Sequence, residues 1–185
     1  VRFDEKGRLW YTVTATHHVG MFDPKTREQK FIRLEFPDME TRLITWFTPF
    51  FIKHADLFNL EDRSADMDGI SMPMPYGIDI SPIDGSVWFS QLNMRTIGRI
   101  DPETLEVTSV PTPFDSPRRL RFDSKGNLWV PSYSEGTINR FDTNTMAWQE
   151  SFAIPVEPLG SEVPYAVFID PKTDHVWITG TQSDT

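Results

Sequence analysis

Three prolines in this sequence each introduce a side chain able to do chemistry, followed by a short apolar run. The three stretches read Pro75-Tyr76-Gly77-Ile78, Pro117-Arg118-Arg119-Leu120 and Pro164-Tyr165-Ala166-Val167. A tyrosine hydroxyl can donate a proton or a hydrogen bond, and an arginine fork can bind an anion or a carbonyl group. Tyr76 is therefore the candidate catalytic residue, with Arg118 and Tyr165 as candidate substrate-binding residues. Glu162, just before Pro164, joins them as a carboxylate within reach of the same place. The histidines are scattered. His17 and His18 are adjacent, so on a strand they would point to opposite faces and chelate poorly; a surface turn is expected for them. His54 and His175 stand alone, the latter in a turn. No HExxH, GxSxG, GxGxxG, P-loop or EF-hand pattern occurs.

The elements that must position these residues repeat. Val1–Trp10 reads VRFDEKGRLW and Leu120–Trp129 reads LRFDSKGNLW, identical at seven of ten positions. Ile78–Trp88 (IDISPIDGSVW) and Val167–Trp177 (VFIDPKTDHVW) are the same unit with one extra turn residue. Twelve residues after each of the first three of these tryptophans comes an apolar–Asp pair: Phe22-Asp23, Ile100-Asp101 and Phe141-Asp142. Each unit divides into four short segments that alternate apolar and polar residues, bounded by Gly, Asp and Pro, which is strand and hairpin chemistry. Trp88 and Trp129 lie 41 residues apart, the span of a four-stranded propeller blade. The fold class is thus all-β: a partial β-propeller of about four blades, residues 1–185 forming one domain that begins and breaks off within blades. The repeat tryptophans are expected between blades, and the DxKG and DPxT residues in hairpin turns. In that architecture the residues after the three prolines ring the mouth of the central channel, where they either do chemistry or plug the channel.

Residues 38–74 carry no blade signature and read as one long insertion between blades. Its centre, TWFTPFFIKHADLFNL (45–60), is expected to hold a short helix after Pro49, with Phe51, His54, Ala55 and Phe58 on one face. By topology it rims the channel mouth or packs on the propeller side.

Composition sets outer bounds. The net charge is −9, which argues against sequence-independent nucleic-acid binding and against docking on anionic membranes. No apolar run approaches a membrane span. There is no cysteine, so disulfides and thiolate metal sites are excluded. A periplasmic or secreted location is expected rather than a cytoplasmic one.

The blade unit, with PYGIDIS, GSVWFSQ and TIGRIDPET as its most specific stretches, resembles the virginiamycin B lyase family, also called streptogramin lyases. The resemblance covers about 150 residues, all but the insertion. It implies a seven-bladed parent and a carbon–oxygen lyase that opens a cyclic ester by elimination with Mg²⁺. The family's functional residues are a Tyr in a PYGI motif, a His in a PHAI motif, and a Glu and His in an EPHG motif. Tyr76 matches the first, and Tyr165 holds the same blade position. Neither histidine motif is present, and Glu162 is followed by Val163-Pro164-Tyr165. The general base of such a lyase is therefore expected from outside this stretch. Two readings follow: a lyase opening a cyclic ester or lactone-type small molecule at the channel mouth, or a non-enzymatic propeller that binds a peptide, glycan or protein partner.

Overall fold

The computed structural model describes residues 1–36, 74–155 and 163–180, together with Met39, Arg42, Leu43, Trp46, Phe47, Phe50, Lys53 and His54. The first sheet holds β1 (Arg2–Phe3), β2 (Leu9–Val13), β3 (His18–Phe22) and β4 (Gln29–Arg33). The second holds β5 (Pro75–Ile80), β6 (Val87–Gln91), β7 (Thr96–Ile100) and β8 (Val107–Pro111). The third holds β9 (Arg121–Phe122), β10 (Asn127–Ser132), β11 (Thr137–Asp142) and β12 (Ala147–Ala153). The fourth pairs β13 (Pro164–Ile169) with β14 (Val176–Gly180). Every sheet is an antiparallel meander in chain order. The first strands of successive sheets lie side by side, β1 against β5, β5 against β9 and β9 against β13. No helix among the described residues is long and apolar enough to cross a membrane.

The repeat signature works through the tryptophan and the turn before it. Trp10 Nε1 donates to Asp4 Oδ2 at 2.9 Å, and Trp129 Nε1 donates to Asp123 Oδ2 at 3.1 Å. In the second sheet Ser86 intervenes: Trp88 Nε1 donates to Ser86 Oγ at 2.9 Å, and that hydroxyl donates to Asp84 Oδ1 at 2.6 Å. The turn carboxylate thus closes its own hairpin and satisfies the indole N–H of a ring on its way into the core. Asp123 also accepts from Lys125 N, Asn127 N and Asn127 Nδ2. The DPxT-type turns work alike: Asp23, Asp101, Asp142 and Asp170 each accept two backbone N–H groups. Each such turn then passes through one left-handed residue, Arg27, Leu105, Met146 or Asp174.

The apolar alternation fills the spaces between sheets. Between the first and second lie Trp10, Val19, Met21, Ile32, Ile78, Val87, Phe89 and Ile100. Between the second and third lie Trp88, Ile97, Phe114, Leu120, Phe122, Leu128, Val130 and Phe141. Val87 and Phe89 thus face backward while Trp88 faces forward, the period-2 alternation of a strand with two buried faces. The glycine of the IGRID-like segment has its own cause. A Cβ on Gly98 would sit 2.1 Å from the ring of Phe89, its cross-strand partner, and one on Gly20 would sit 2.3 Å from the ring of Tyr11. The aromatic ring covers the glycine and takes the space of its missing side chain. In the third sheet the equivalent pair is Asn139 opposite Val130, with no ring and no glycine.

Three sequence expectations meet differences. His17 is fully buried rather than in a surface turn: it leaves a 3₁₀ turn (Thr14–Thr16) in the left-handed conformation, stacks 4.6 Å from Phe36 and bonds through Nε2 to Glu35 O. Trp177 is 62% exposed, because among the described residues no further sheet packs on the far side of the fourth; Phe3, at the other end of the arc, is 67% exposed. Among the described residues of the 38–74 stretch the first helical one is Met39, ahead of Pro49, and His54 sits in a turn, donating N–H to Phe50 O at 3.1 Å. Phe51, Ala55, Phe58 and most of residues 38–74 lie outside the described residues.

Two outcomes test the turn–tryptophan link. Asp123→Ala strips a buried acceptor from four donors and should cost about 2–3 kcal/mol in urea unfolding; a loss under about 0.5 kcal/mol would refute the link. The second is pH dependence. Burial raises Asp84, but hydrogen bonds from Ser86, Ser81 and Arg99 outweigh it and hold the carboxyl at about 2. Asp4 is lowered likewise: burial opposes, while Trp10 and Arg8 prevail. Because the folded values lie below the unfolded ones, their stabilisation is complete above about pH 4 and fades as pH falls toward about 2. Asp84→Asn should flatten that slope, and an unchanged slope would refute the assignment.

Candidate functional site: a tyrosine–arginine cluster

The register places all three post-proline residues at one end of the sheets. Pro75 pairs with Gln91 and Pro164 with Gly180, so each first strand starts where its neighbour second strand ends. Pro117 bridges Ser132 in the same way. The links from second to third strand in the second and third sheets therefore emerge at the end where Tyr76 and Arg118 lie. The first sheet braces this end: Thr12 Oγ1 donates to Tyr76 O at 3.2 Å and Thr14 Oγ1 to Pro75 O at 3.1 Å. Gly77 is required by close approach rather than by φ. A Cβ there would lie 2.7 Å from Arg118 O and 2.9 Å from Arg119 Cα. The glycine of the PYGI stretch lets the third sheet's first segment press against the second's, and this carries Arg118 and Arg119 to the tyrosines.

The cluster is tight. The Tyr76 and Tyr165 hydroxyls share a short hydrogen bond, with the rings edge-to-face at 6.2 Å. The Arg118 guanidinium lies 4.1 Å above the Tyr133 ring and 5.7 Å from those of Tyr76 and Tyr165. Arg119 lies 5.0 Å from the Tyr165 ring and 5.5 Å from that of Tyr76. Cations over aromatic faces are held by the ring quadrupole, which orients them without consuming their N–H donors. Among the described residues no carboxylate pairs with Arg118 or Arg119, and the shielded Arg118 Nε has no hydrogen-bond partner.

This environment separates the two phenols. Burial pushes the Tyr76 hydroxyl above the ordinary tyrosine range, and its hydrogen bond to Tyr165 adds to this. Tyr165 is drawn below that range, first by the hydrogen bond from Tyr76 and then by the positive charges of Arg119 and Arg118. Tyr165 is thus the more acidic partner, and when it is ionised the Tyr76 hydroxyl can donate to it. Such a pair can move a proton at Tyr165 while the arginines receive a developing negative charge.

Of the sequence candidates, the structure brings together Tyr76, Tyr165 and Arg118; Glu162 lies outside the described residues. Arg119 and Tyr133 were not singled out from sequence. Tyr133 follows the second strand NLWVPS, at the link that the propeller topology turns toward the first-strand starts, and that position was its available signal. His17 and His18 stay with the first sheet, the latter bonding through Nδ1 to Thr16 Oγ1. Among the described residues no three His, Asp or Glu side chains converge to hold a metal ion, so the Mg²⁺ implied by the resemblance has no ligand set there.

Two hollows lie at link segments. One of about 340 Å³ is lined by Asn93, Asp115, Ser116 and Ser134 with Leu92 and Met94. It adjoins the cluster along the chain, since Ser134 follows Tyr133 and Ser116 precedes Pro117-Arg118. Ser116 is left-handed (φ 50°) and accepts from Tyr133 N at 3.2 Å and Ser134 Oγ at 2.8 Å. A larger one of about 500 Å³, lined by Arg33, Leu34, Glu35, Phe36, Met39 and Arg42, follows β4; neither hollow is lined by a cluster residue.

No family model matches the sequence, and no curated sequence relative does. Solved structures do match. Virginiamycin B lyase from Staphylococcus aureus aligns with a TM-score of 0.68 and 20% identity, over 97% of this chain and 47% of that one. A streptogramin B lyase aligns with a TM-score of 0.68 and 19% identity, over 97% and 46%. A catalytically inactive variant of the Staphylococcus aureus enzyme with quinupristin gives 0.68 and 20%, over 97% and 47%. The chain spans just under half the length of these structures, and at such identity the likeness establishes fold: this is a β-propeller arc of the architecture that the streptogramin lyases share.

Proposed function

We propose that this propeller is a carbon–oxygen lyase that opens a cyclic ester or lactone-type small molecule by elimination at the channel mouth. The observation that carries the reading is the hydrogen-bonded Tyr76–Tyr165 pair beside Arg118 and Arg119, which have no carboxylate partner among the described residues. In the proposed step the Tyr165 phenolate takes the proton from the carbon beside a carbonyl. The electron pair of that C–H bond becomes the new C=C bond as the ester C–O bond breaks. The ester oxygen departs with its acyl group as a carboxylate, next to Arg118 and Arg119, and the proton on Tyr165 returns to solvent. Tyr76 steadies the phenolate by donating to it. The described residues do not form a Mg²⁺ ligand set, and no step here runs through a metal. The likeness in fold to streptogramin lyases supports the reaction class, and the substrate itself is open to the assay.

A panel of cyclic depsipeptides and lactones, followed by mass spectrometry, tests this. Elimination opens the ring without change of mass and creates a double bond, whereas hydrolysis adds water. Tyr165→Phe should lower the rate by about 10²–10⁴-fold. Absence of ring opening, addition of water, or an unchanged rate in Tyr165→Phe would refute the proposal. Ultraviolet titration gives a second test. The protein has four tyrosines, and subtraction of the Phe variants should show Tyr165 ionising below Tyr76. Tyr76→Phe should move Tyr165 back up toward the ordinary range; no movement would refute the pairing.

One observation favours the binding-module reading. Met39, Leu43, Trp46, Phe47 and Phe50 are helical and expose large apolar side chains at helical spacing, with Trp46 71% exposed. In that reading Trp46→Ala abolishes capture of a partner while ring opening is absent throughout.

A further inference from the structure

The inner edge of the arc carries more positive charge than it balances. Successive first strands present Arg2, Asp79, Arg121 and Phe168 at equivalent repeat positions, and Gly77, Arg119 and Ala166 two residues earlier. Arg119 is a bridge residue two positions before Arg121 of β9, and its charge acts on the Arg121 guanidinium. Gly77 lets the Arg118–Arg119 backbone approach the second sheet, and Arg119 bridges Ala166 in parallel.

At these repeat positions the one carboxylate among the described residues, Asp79, is already committed. Asp79 Oδ1 receives Arg2 Nε at 2.6 Å, and Asp79 Oδ2 receives the backbone N–H of Phe122 at 2.9 Å. Among the described residues Arg121 has neutral acceptors alone, Ile78 O at 3.3 Å and Leu120 O at 2.6 Å. Burial, with the charges of Arg2 and Arg119 against the partial relief of Asp79, pulls its guanidinium down from the usual arginine range. A guanidinium held out of water without a counter-ion is costly, and such groups in native proteins are paired or poised for a ligand. Arg119, whose charge acts on it, has no ion pair among the described residues either. The wall also displays the matching ligand chemistry in miniature, since its own Asp79 is a carboxylate gripped by one guanidinium and one N–H.

We propose that Arg119 and Arg121 form a site on the inner edge of the arc for a small carboxylate ligand, just inside the Tyr76–Tyr165 pair. The planar fork of each guanidinium matches a carboxylate in two parallel hydrogen bonds, which a tetrahedral anion fits less well. The site takes its ligand whether or not the tyrosine pair catalyses, so it stands apart from the lyase reading. If both hold, it receives the acyl carboxylate that elimination releases.

Calorimetric titration of the protein with malonate at low salt, beside neutral malonamide, tests the site. Malonate should bind and malonamide should not, and binding should weaken as salt rises. Arg119→Gln, a change at an exposed side chain, should weaken malonate by about tenfold or more. Arg121→Lys keeps the charge but loses the fork and should also weaken it, while Lys172→Gln, on a distant exposed turn, should leave it unchanged. No heat with malonate, equal binding of malonamide, or wild-type binding in both arginine variants would overturn the proposal. Malonate binding that depends on Arg119, in a protein that opens no ring, would uphold the site and remove only the lyase reading.

Discussion

The structure depends on burying large indole rings between sheets without abandoning their N–H groups. Trp10 and Trp88 have almost no exposed surface, so their donors cannot turn to water. An unpaired buried donor would cost a good part of what the ring's burial contributes. The solution is local and repeated: the turn between the first two strands supplies the acceptor, from Asp4, from Ser86 backed by Asp84, or from Asp123. One carboxylate thereby sets the hairpin and positions the ring that joins one sheet to the next. Once that link is fixed, the first strands are laid side by side, and the residues at their starts are delivered to a common place.

Tyr76 comes from the second sheet, Arg118 and Arg119 from the segment entering the third, Tyr133 from a link within the third, and Tyr165 from the fourth. No one sheet holds the cluster, and its geometry is a property of how sheets pack. The protein carries a net charge of −9, yet Arg118, Arg119 and Arg121 stand together, and the carboxylate of Asp79, on the same edge among the described residues, is already used. Local charge here runs against global charge, as expected where a field is aimed at a ligand rather than spread for solubility.

Much of this was legible in the sequence because its signals are local. The Asp–Gly–Trp spacing reports a turn that needs particular φ angles and an indole that needs an acceptor, and both lie within ten residues. The post-proline positions were legible because the repeat aligns them. Arg119 and Tyr133 were not, since their approach to the tyrosines is set by Gly77 and by contact between sheets. His17 was misread for the same reason: the link pattern suggests solvent, but burial comes from Phe36, nineteen residues on. The stretch between β4 and β5 lacks the repeat that made the rest readable.

The glycine–aromatic pairing within blades has a consequence for how such a chain can change. Phe89 over Gly98 and Tyr11 over Gly20 each fill one volume with two residues on adjacent strands. Any side chain at the glycine collides with the ring, and loss of the ring alone leaves a void above bare backbone. The third sheet, with Asn139 opposite Val130, has reached a different solution at the same address. Passage between the two solutions requires both members of the pair to change, and either single step is worse than both ends. Blades that began as copies are therefore expected to diverge in correlated jumps at this position, while their solvent-facing turns drift one residue at a time.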